Sequence, residues 1–360
     1  MNRLTALQTV MAREEVDLVV VGPTANLRYL IDYPAPVDDR ITVLLVTRDS
    51  AVMLIPDFGV PEFLDITGFQ NVADWNDKFG PQPGVDAAFA KLGELPDAPV
   101  TAVDDELPYA FLAELQSRLG TRAARRLSEL IGPLRIVKSD EELERIKRAG
   151  ELVSVGVDVA LERARPGISE RLLRSEIETA LWQGGAESMD FVVVQAGPES
   201  ASPHHDAGPR EIREGEPVLI DIAVRVDGYF ADITQQVFLG TPTADYVQVY
   251  EAVFAAQEAG VRASLVGATI ESIDRAASQA LSDAGFALEG RTGHGLGLDV
   301  HEPPSVVTGN EEVVRSGMVF TVEPGIYLPG RFGVRIEDTV VATPRGPVRV
   351  TRGSRPLLCK

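Results

Sequence analysis

Residues 218–239 read VLIDIAVRVDGYFADITQQVFL. Two alternating, β-branched runs flank Asp227-Gly228, a dipeptide suited to a type I′ turn, which needs positive φ at both central positions. With those two residues as the loop, Val226 faces Tyr229 and, counting back, Ala223 faces Asp232. Asp221 shares that face and lies diagonal to Asp232. Two carboxylates therefore converge with only a methyl group between them. Such a pair is unfavourable unless a proton or a cation intervenes, and the small residue at 223 leaves room for a divalent ion. The plainer alternative is an edge hairpin whose aspartates face water, and the hairpin alone does not separate the two.

Around this hairpin the chain has 360 residues, long for one domain and comfortable for two. It is 44% hydrophobic and 24% charged, an ordinary globular composition. A net charge of −20 argues against nucleic acid as a partner, because phosphate binding needs a positive footprint. The single cysteine, Cys359, excludes an internal disulfide framework and suits a reducing compartment. No apolar run approaches membrane-spanning length, and MNRLTALQTVMAREEVD lacks the apolar core and cleavage site of a signal peptide. The expectation is a cytoplasmic protein with no membrane partner.

The first third alternates helix and strand: helix at 4–15, strand at 17–21, a short helix at 26–30, strands at 41–46 and 51–55, a Pro/Gly-rich break at 81–84, strand at 100–103 and helix at 107–119. This predicts a small α/β domain over 1–135, without histidine, serving packing or substrate gating. Ser139-Asp140-Glu141-Glu142 is a capping box that opens a long helix with Leu143, Ile146, Gly150, Val153 and Val157 on one face. Helix at 170–183 and strand at 191–195 precede the hairpin. Helices at 246–266 and 270–284 follow it, then strands at 319–322 and 334–342. Helix, helix, strands thus occurs twice within 136–360. That order predicts a pseudo-duplicated α+β domain with an antiparallel sheet.

All four histidines fall in this second region: His204 and His205 in SPHHD, His294 in TGHGLGLD and His301 in VHEPP. Glu323 follows a buried-looking strand in VFTVEPG. Glu337, in VRIEDTVV, shares a face by alternation with Arg335 and Thr339. Asp221, Asp232, His294, Glu323 and Glu337 are the candidate metal ligands. Four carboxylates and one imidazole can hold two divalent ions, and oxygen-rich ligation favours Mn²⁺, Co²⁺ or Fe²⁺, with Zn²⁺ admissible, over a thiolate site. A dinucleotide loop at Gly293, Gly295 and Gly297 fails on spacing and context.

The set, in this order and local context, resembles the prolidase and Xaa-Pro aminopeptidase branch of the M24 "pita-bread" metallopeptidases, the group that includes methionine aminopeptidase and creatinase. The resemblance rests on DIAxxxxGYFADIT, GHGLGLDVHE, EPG and RIED, covers the chain from Lys138 onward, and extends more loosely to the N-terminal domain. It implies a pita-bread catalytic domain over 136–360, a dinuclear centre, a homodimer, and hydrolysis of the peptide bond before proline in a small Xaa-Pro substrate. Glu323 would then act as general base and acid, and His301 would steady the carbonyl oxygen. His204 would bind substrate, and His205 would be an exposed neighbour. Arg335, two residues from Glu337, would neutralise a bridging carboxylate or bind substrate. Arg40, in the loop PAPVDDR, is the candidate anchor for a dipeptide's carboxylate, against a plain surface pair with Asp39. Two departures stand out. Ala223 replaces the usual glycine. Gln235 replaces the family's arginine, with a weakened structural ion pair or an altered substrate as the two readings. Rival functions are an Xaa-Pro aminopeptidase for longer peptides, a metal-dependent hydrolase or lyase of a small non-peptide amide or acid, and a non-catalytic binding module.

Overall fold

The computed structural model describes residues 2–119, 123–202, 205–352 and 356–360. The chain divides into two compact units, Met1–Arg135 and Ile136–Lys360. The first unit runs α1 (Arg3–Arg13), β1 (Leu18–Val21), α2 (Ala25–Ile31), β2 (Val43–Val46), β3 (Ala51–Pro56), α3 (Val60–Thr67), β4 (Val72–Trp75), α4 (Gln82–Leu92), β5 (Thr101–Val103), α5 (Tyr109–Leu115), β6 (Arg125–Arg126) and α6 (Ser128–Arg135). Its strands form one mixed sheet ordered β4-β3-β2-β1-β5-β6, packed over a core that includes Leu18, Val20, Leu45, Leu54 and Phe89. Residues 81–84, read as a break, instead open α4, with proline in the first turn. There a missing N–H costs nothing and a fixed φ suits the helix.

The second unit runs α7 (Asp140–Arg163), α8 (Glu170–Gln183), β7 (Ser188–Ala196), β8 (Pro217–Val226), β9 (Tyr229–Phe238), α9 (Ala244–Ala263), α10 (Ile270–Asp283), β10 (Gly293–Gly295), β11 (Glu302–Val306), β12 (Val319–Val322), β13 (Gly325–Leu328), β14 (Phe332–Arg335), β15 (Asp338–Thr343), β16 (Gly346–Arg349) and β17 (Leu358–Cys359). β7, β8 and β9 are antiparallel, with β17 added parallel to β9, and β11-β10-β12-β15-β16 form a second, antiparallel sheet. The capping box closes on α7 between Ser139 and Glu142. Glu142 also accepts the hydroxyl of Tyr229 at 2.8 Å, so the cap ties the helix to the hairpin.

The hairpin has the expected register, with Val226 opposite Tyr229 and Ala223 opposite Asp232. Asp227 and Gly228 have φ of 48° and 87°, as a type I′ turn requires. The duplication is visible in the connections. Gly167 N–H bonds Ile212 O where Gly267 N–H bonds Val314 O, and Glu170 N–H bonds Arg210 O where Ile270 N–H bonds Glu312 O. β8 lies between β7 and β9 as β12 lies between β10 and β15. The run 334–342, expected as one strand, is two. β14 pairs with β13, whereas β15 pairs with β12 and β16, so the chain changes sheets at Ile336-Glu337. Among the described residues no helix is long and apolar enough to cross a membrane.

Candidate metal centre and active site

Asp221 and Asp232 sit on adjacent antiparallel strands and are both buried. His294 is the middle residue of β10, which threads between β11 and β12. The strands approach so closely that a Cβ on Gly293 would stand 2.0 Å from the carbonyl oxygen of Thr321, and one on Gly295 2.1 Å from that of Pro303. Gly293 and Gly295 therefore serve backbone contact, not phosphate binding. Glu323 follows β12, and its N–H bonds Thr292 O at 2.7 Å. Glu337 lies in the break between β14 and β15. Its N–H bonds Thr234 O at 3.1 Å, and its Oε2 accepts from Thr234 Oγ1 at 2.6 Å. Thr339 stitches the same region, accepting from Asp232 N–H at 3.0 Å and donating to Asp232 O at 2.8 Å.

These segments bring the five side chains together. Ligand atoms of Asp232, His294 and Glu337 lie within 4.8 Å of one another. His294 Nε2 is 3.2 Å from Glu323 Oε1 and 3.8 Å from Asp232 Oδ2. His294 Nδ1 lies 3.1 Å from Gly295 O, and a carbonyl can only accept. Nδ1 therefore donates to Gly295 O, and Nε2 is turned toward the carboxylate oxygens of Glu323 and Asp232, the edge through which an imidazole binds a cation. Asp221 completes the set through Arg335, whose guanidinium donates to Asp221 Oδ2, to the Tyr327 hydroxyl at 2.6 Å and to Thr234 Oγ1 at 3.0 Å. The sequence reading paired Arg335 with Glu337 along one strand. The strand break redirects it to Asp221.

The charge balance is lopsided, with four carboxylates against one guanidinium. Burial pushes the Asp232 carboxyl well above the ordinary range, and the charges of Asp221 and Glu323 add to it. Burial does the same to Glu337, reinforced by Asp232. Asp221 is raised by burial too, with Arg335 opposing. Burial also pushes Glu323 upward, but the hydrogen bond and charge of His294, then Arg335, outweigh it and leave the group below its ordinary value. Asp221 Oδ1, Asp232 Oδ1 and Glu337 Oε1 are buried without a hydrogen-bond partner among the described residues. Buried carboxylate oxygens are normally satisfied. Orphaned carboxylate oxygens beside the Nε2 edge of His294 fit a divalent cation held by oxygen and nitrogen donors.

The remaining candidates fall variously. The His301 ring packs against that of His294, with centroids 4.3 Å apart. His204 lies outside the described residues. His205 is not an exposed neighbour: its Nε2 is 2.9 Å from the fully buried Glu170 and its Nδ1 3.3 Å from Glu199. Arg40 directs its fork at Asp77, with Nη2–Oδ2 at 3.1 Å, and reaches Asp39 at 3.4 Å. Gln235 is buried and accepts from Gln236 N–H at 2.7 Å and the Tyr250 hydroxyl at 3.4 Å, away from the carboxylates. Thr234, Thr321 and Tyr327 belong to the site and were not anticipated. Thr321 and Thr234 were findable by parity, each two residues from a candidate ligand. Tyr327 reaches the site only through the fold.

The profile of metallopeptidase family M24 matches residues 144–344, and that of the creatinase/prolidase N-terminal domain matches residues 3–137. A probable dipeptidase PepE of Mycobacterium tuberculosis is 36% identical over 339 residues, covering 92% of this chain and 89% of that protein. An Xaa-Pro dipeptidase of Pyrococcus furiosus is 33% identical over 361 residues, covering 99% of each. The crystal structure of a dipeptidase from Pyrococcus horikoshii superimposes with a TM-score of 0.93 at 30% identity, covering 99% of this chain and 100% of that one. The pita-bread expectation therefore holds, and the chain belongs to metallopeptidase family M24.

Proposed function

We propose that this metallopeptidase is an Xaa-Pro dipeptidase that uses two divalent ions, Mn²⁺ foremost, held by Asp221, Asp232, His294, Glu323 and Glu337. The observation carrying the reading is the trio of orphaned oxygens on Asp221, Asp232 and Glu337 beside His294 Nε2. Relatives named Xaa-Pro dipeptidase support the substrate class. When bound, the ions supply Lewis acidity, lowering the pKa of water and polarising the scissile carbonyl. The chain's own residues do the rest. Glu323, partly exposed and held by Thr321 at 3.0 Å, takes the proton of the attacking water on its carboxylate and returns it to the prolyl nitrogen as that nitrogen leaves. His301, at the rim, donates to the carbonyl oxygen as charge develops there. Arg335 fixes Asp221 and offsets part of the cost of burying its charge. His204 binds substrate.

The engagement of Arg40 with Asp77 favours a second reading, an Xaa-Pro aminopeptidase that tolerates longer peptides, since the proposed carboxylate anchor is already occupied. The family resemblance supports a homodimer, testable by light scattering. The lone Cys359 supports a reducing, cytoplasmic setting. The deciding experiment strips metal, restores Mn²⁺, Co²⁺ or Zn²⁺ separately, and assays Ala-Pro, Met-Pro and an Xaa-Pro-Yaa tripeptide. Metal-dependent cleavage of the dipeptides alone supports the dipeptidase. Cleavage of the tripeptide moves the assignment to the aminopeptidase, and hydrolysis indifferent to chelator ends both.

A further inference from the structure

We infer that the buried ion pair of Lys138 and Glu302 positions His301 for the carbonyl contact proposed for it, a reading on which the inference rests. Neither residue is a candidate metal ligand. Lys138 Nζ lies 2.7 Å from Glu302 Oε1, and the two side chains are 1% and 6% exposed. Lys138 immediately precedes Ser139, the cap of α7. Its backbone is fastened as well: its N–H bonds Gly317 O at 2.9 Å, and Val137 bridges Met318. Gly317 has a φ of 88°, and a Cβ there would stand 2.8 Å from Lys138 O. Lys138 is thus held against the turn that enters β12, the strand leading to Glu323. Its side chain meets the first residue of β11, 164 positions along the chain.

Glu302 directly follows His301, and the connection between β10 and β11 rests on the pair. A Cβ on Gly297 would run into Glu302 Oε1 and lie 3.1 Å from Lys138 Cε. Gly297 O in turn accepts the N–H of Phe230 at 2.7 Å, two residues from Asp232 on β9. The ion pair and the hairpin therefore both hold the loop that ends at His301. His301 itself is exposed, and its ring meets that of His294 edge-on. Among the described residues its imidazole makes no hydrogen bond, so its aim follows from the backbone that carries it. Replacing a buried ion pair by apolar residues of similar volume often costs no stability, and stability alone does not account for this one. What the pair adds is direction. The carboxylate must stay where the ammonium is satisfied, and that fixes the residue before it. An apolar pair would fill the volume without setting where His301 comes to rest.

The test uses the full-length, Mn²⁺-loaded protein and Ala-Pro. The double variant Lys138→Met, Glu302→Leu should lower kcat roughly tenfold while KM stays within about twofold, with bound metal and thermal midpoint undiminished. Glu302→Gln keeps an acceptor for the Lys138 ammonium and should recover most of the loss. His301→Ala alone should lower kcat about 100-fold. In that background the double variant should add less than about twofold, because it acts only through His301. Gly297→Ala retains both charges and lifts the loop off the carboxylate. It should repeat the kcat loss and the non-additivity, and it decides the case if the double variant does not fold. Multiplicative losses in the two backgrounds overturn the inference, as does loss of metal along with activity, or an unchanged kcat in both the double variant and Gly297→Ala. If His301→Ala itself leaves kcat unaltered, the reading of His301 fails and takes this inference with it. If His301→Ala lowers kcat and the others do not, only the positioning role falls.

Discussion

Both units of the chain bury carboxylates, and they treat them differently. Asp104, at the end of β5 in the first unit, is buried, and burial raises its pKa. Its oxygens are nevertheless engaged: Oδ2 accepts from Gly22 N–H at 3.2 Å and Thr24 Oγ1 at 2.6 Å, and Oδ1 from Asn26 Nδ2 at 3.1 Å. In the second unit, Asp221, Asp232 and Glu337 share the same elevation but leave one oxygen each without a donor. Burial and a raised pKa are therefore common to a structural acid and to the cluster of candidate metal ligands. Asp104 and the cluster differ in how fully their oxygens are hydrogen-bonded. A completed acid stabilises the fold by tying loops together, whereas an uncompleted one costs stability until something positive arrives.

The comparison breaks or sharpens under substitution. The largest effect is expected from His294→Ala or Asp232→Ala, each lowering kcat/KM on an Xaa-Pro dipeptide by at least about 10³-fold with loss of bound metal by elemental analysis. Asp104→Ala should leave kcat/KM unaltered. Its cost is instead stability, about 3 kcal/mol from stranding three donors, two of them buried, read by hydrogen exchange in β1 and β5. Removing metal should act on the second unit alone. At a free ion concentration of about 100 times Kd each ion adds about 2.7 kcal/mol, so chelation should lower protection in β9 and β12 and leave β1 and β5 as they were. A fall in both units would erase the distinction.

The smallest effect is in pH. The native pKa of Asp104 lies above its unfolded value of about 3.9. Its favourable contribution is therefore complete below that unfolded value. As pH rises toward the native pKa, the unfolded state gives up its proton first, and the contribution is lost. The stability of the wild type relative to Asp104→Asn should accordingly decline as pH increases from about 4, measured by protection of β1 and β5. A difference that grows with pH would contradict the raised native pKa.

Much of the site was legible because its chemistry travels in short strings. The Asp-Gly turn set the register that puts Asp221 diagonal to Asp232. What could not be read depended on contacts distant in sequence. Alternation through residues 334–342 placed Arg335 and Glu337 on one strand, but pairing with β13 on one side and β12 on the other divides that run. Periodicity records the faces of a strand and carries no information about which sheet receives it. His205 looked like a loop residue because nothing near it announces Glu170, which is 35 positions away. The helix at α4 was hidden because proline reads as a stop and is equally a start.

The close approach of β10 to its neighbours has a consequence for mutational tolerance. Gly293 and Gly295 contact no substrate in the proposed chemistry, yet a side chain at 293 would drive into the Thr321 backbone on β12 and one at 295 into the Glu302-Pro303 backbone on β11, and either would displace His294 between them. In a saturation library scored by growth or turnover, these two glycines would rank with the ligands themselves. A scan of that kind would recover the strand spacing as readily as the chemistry.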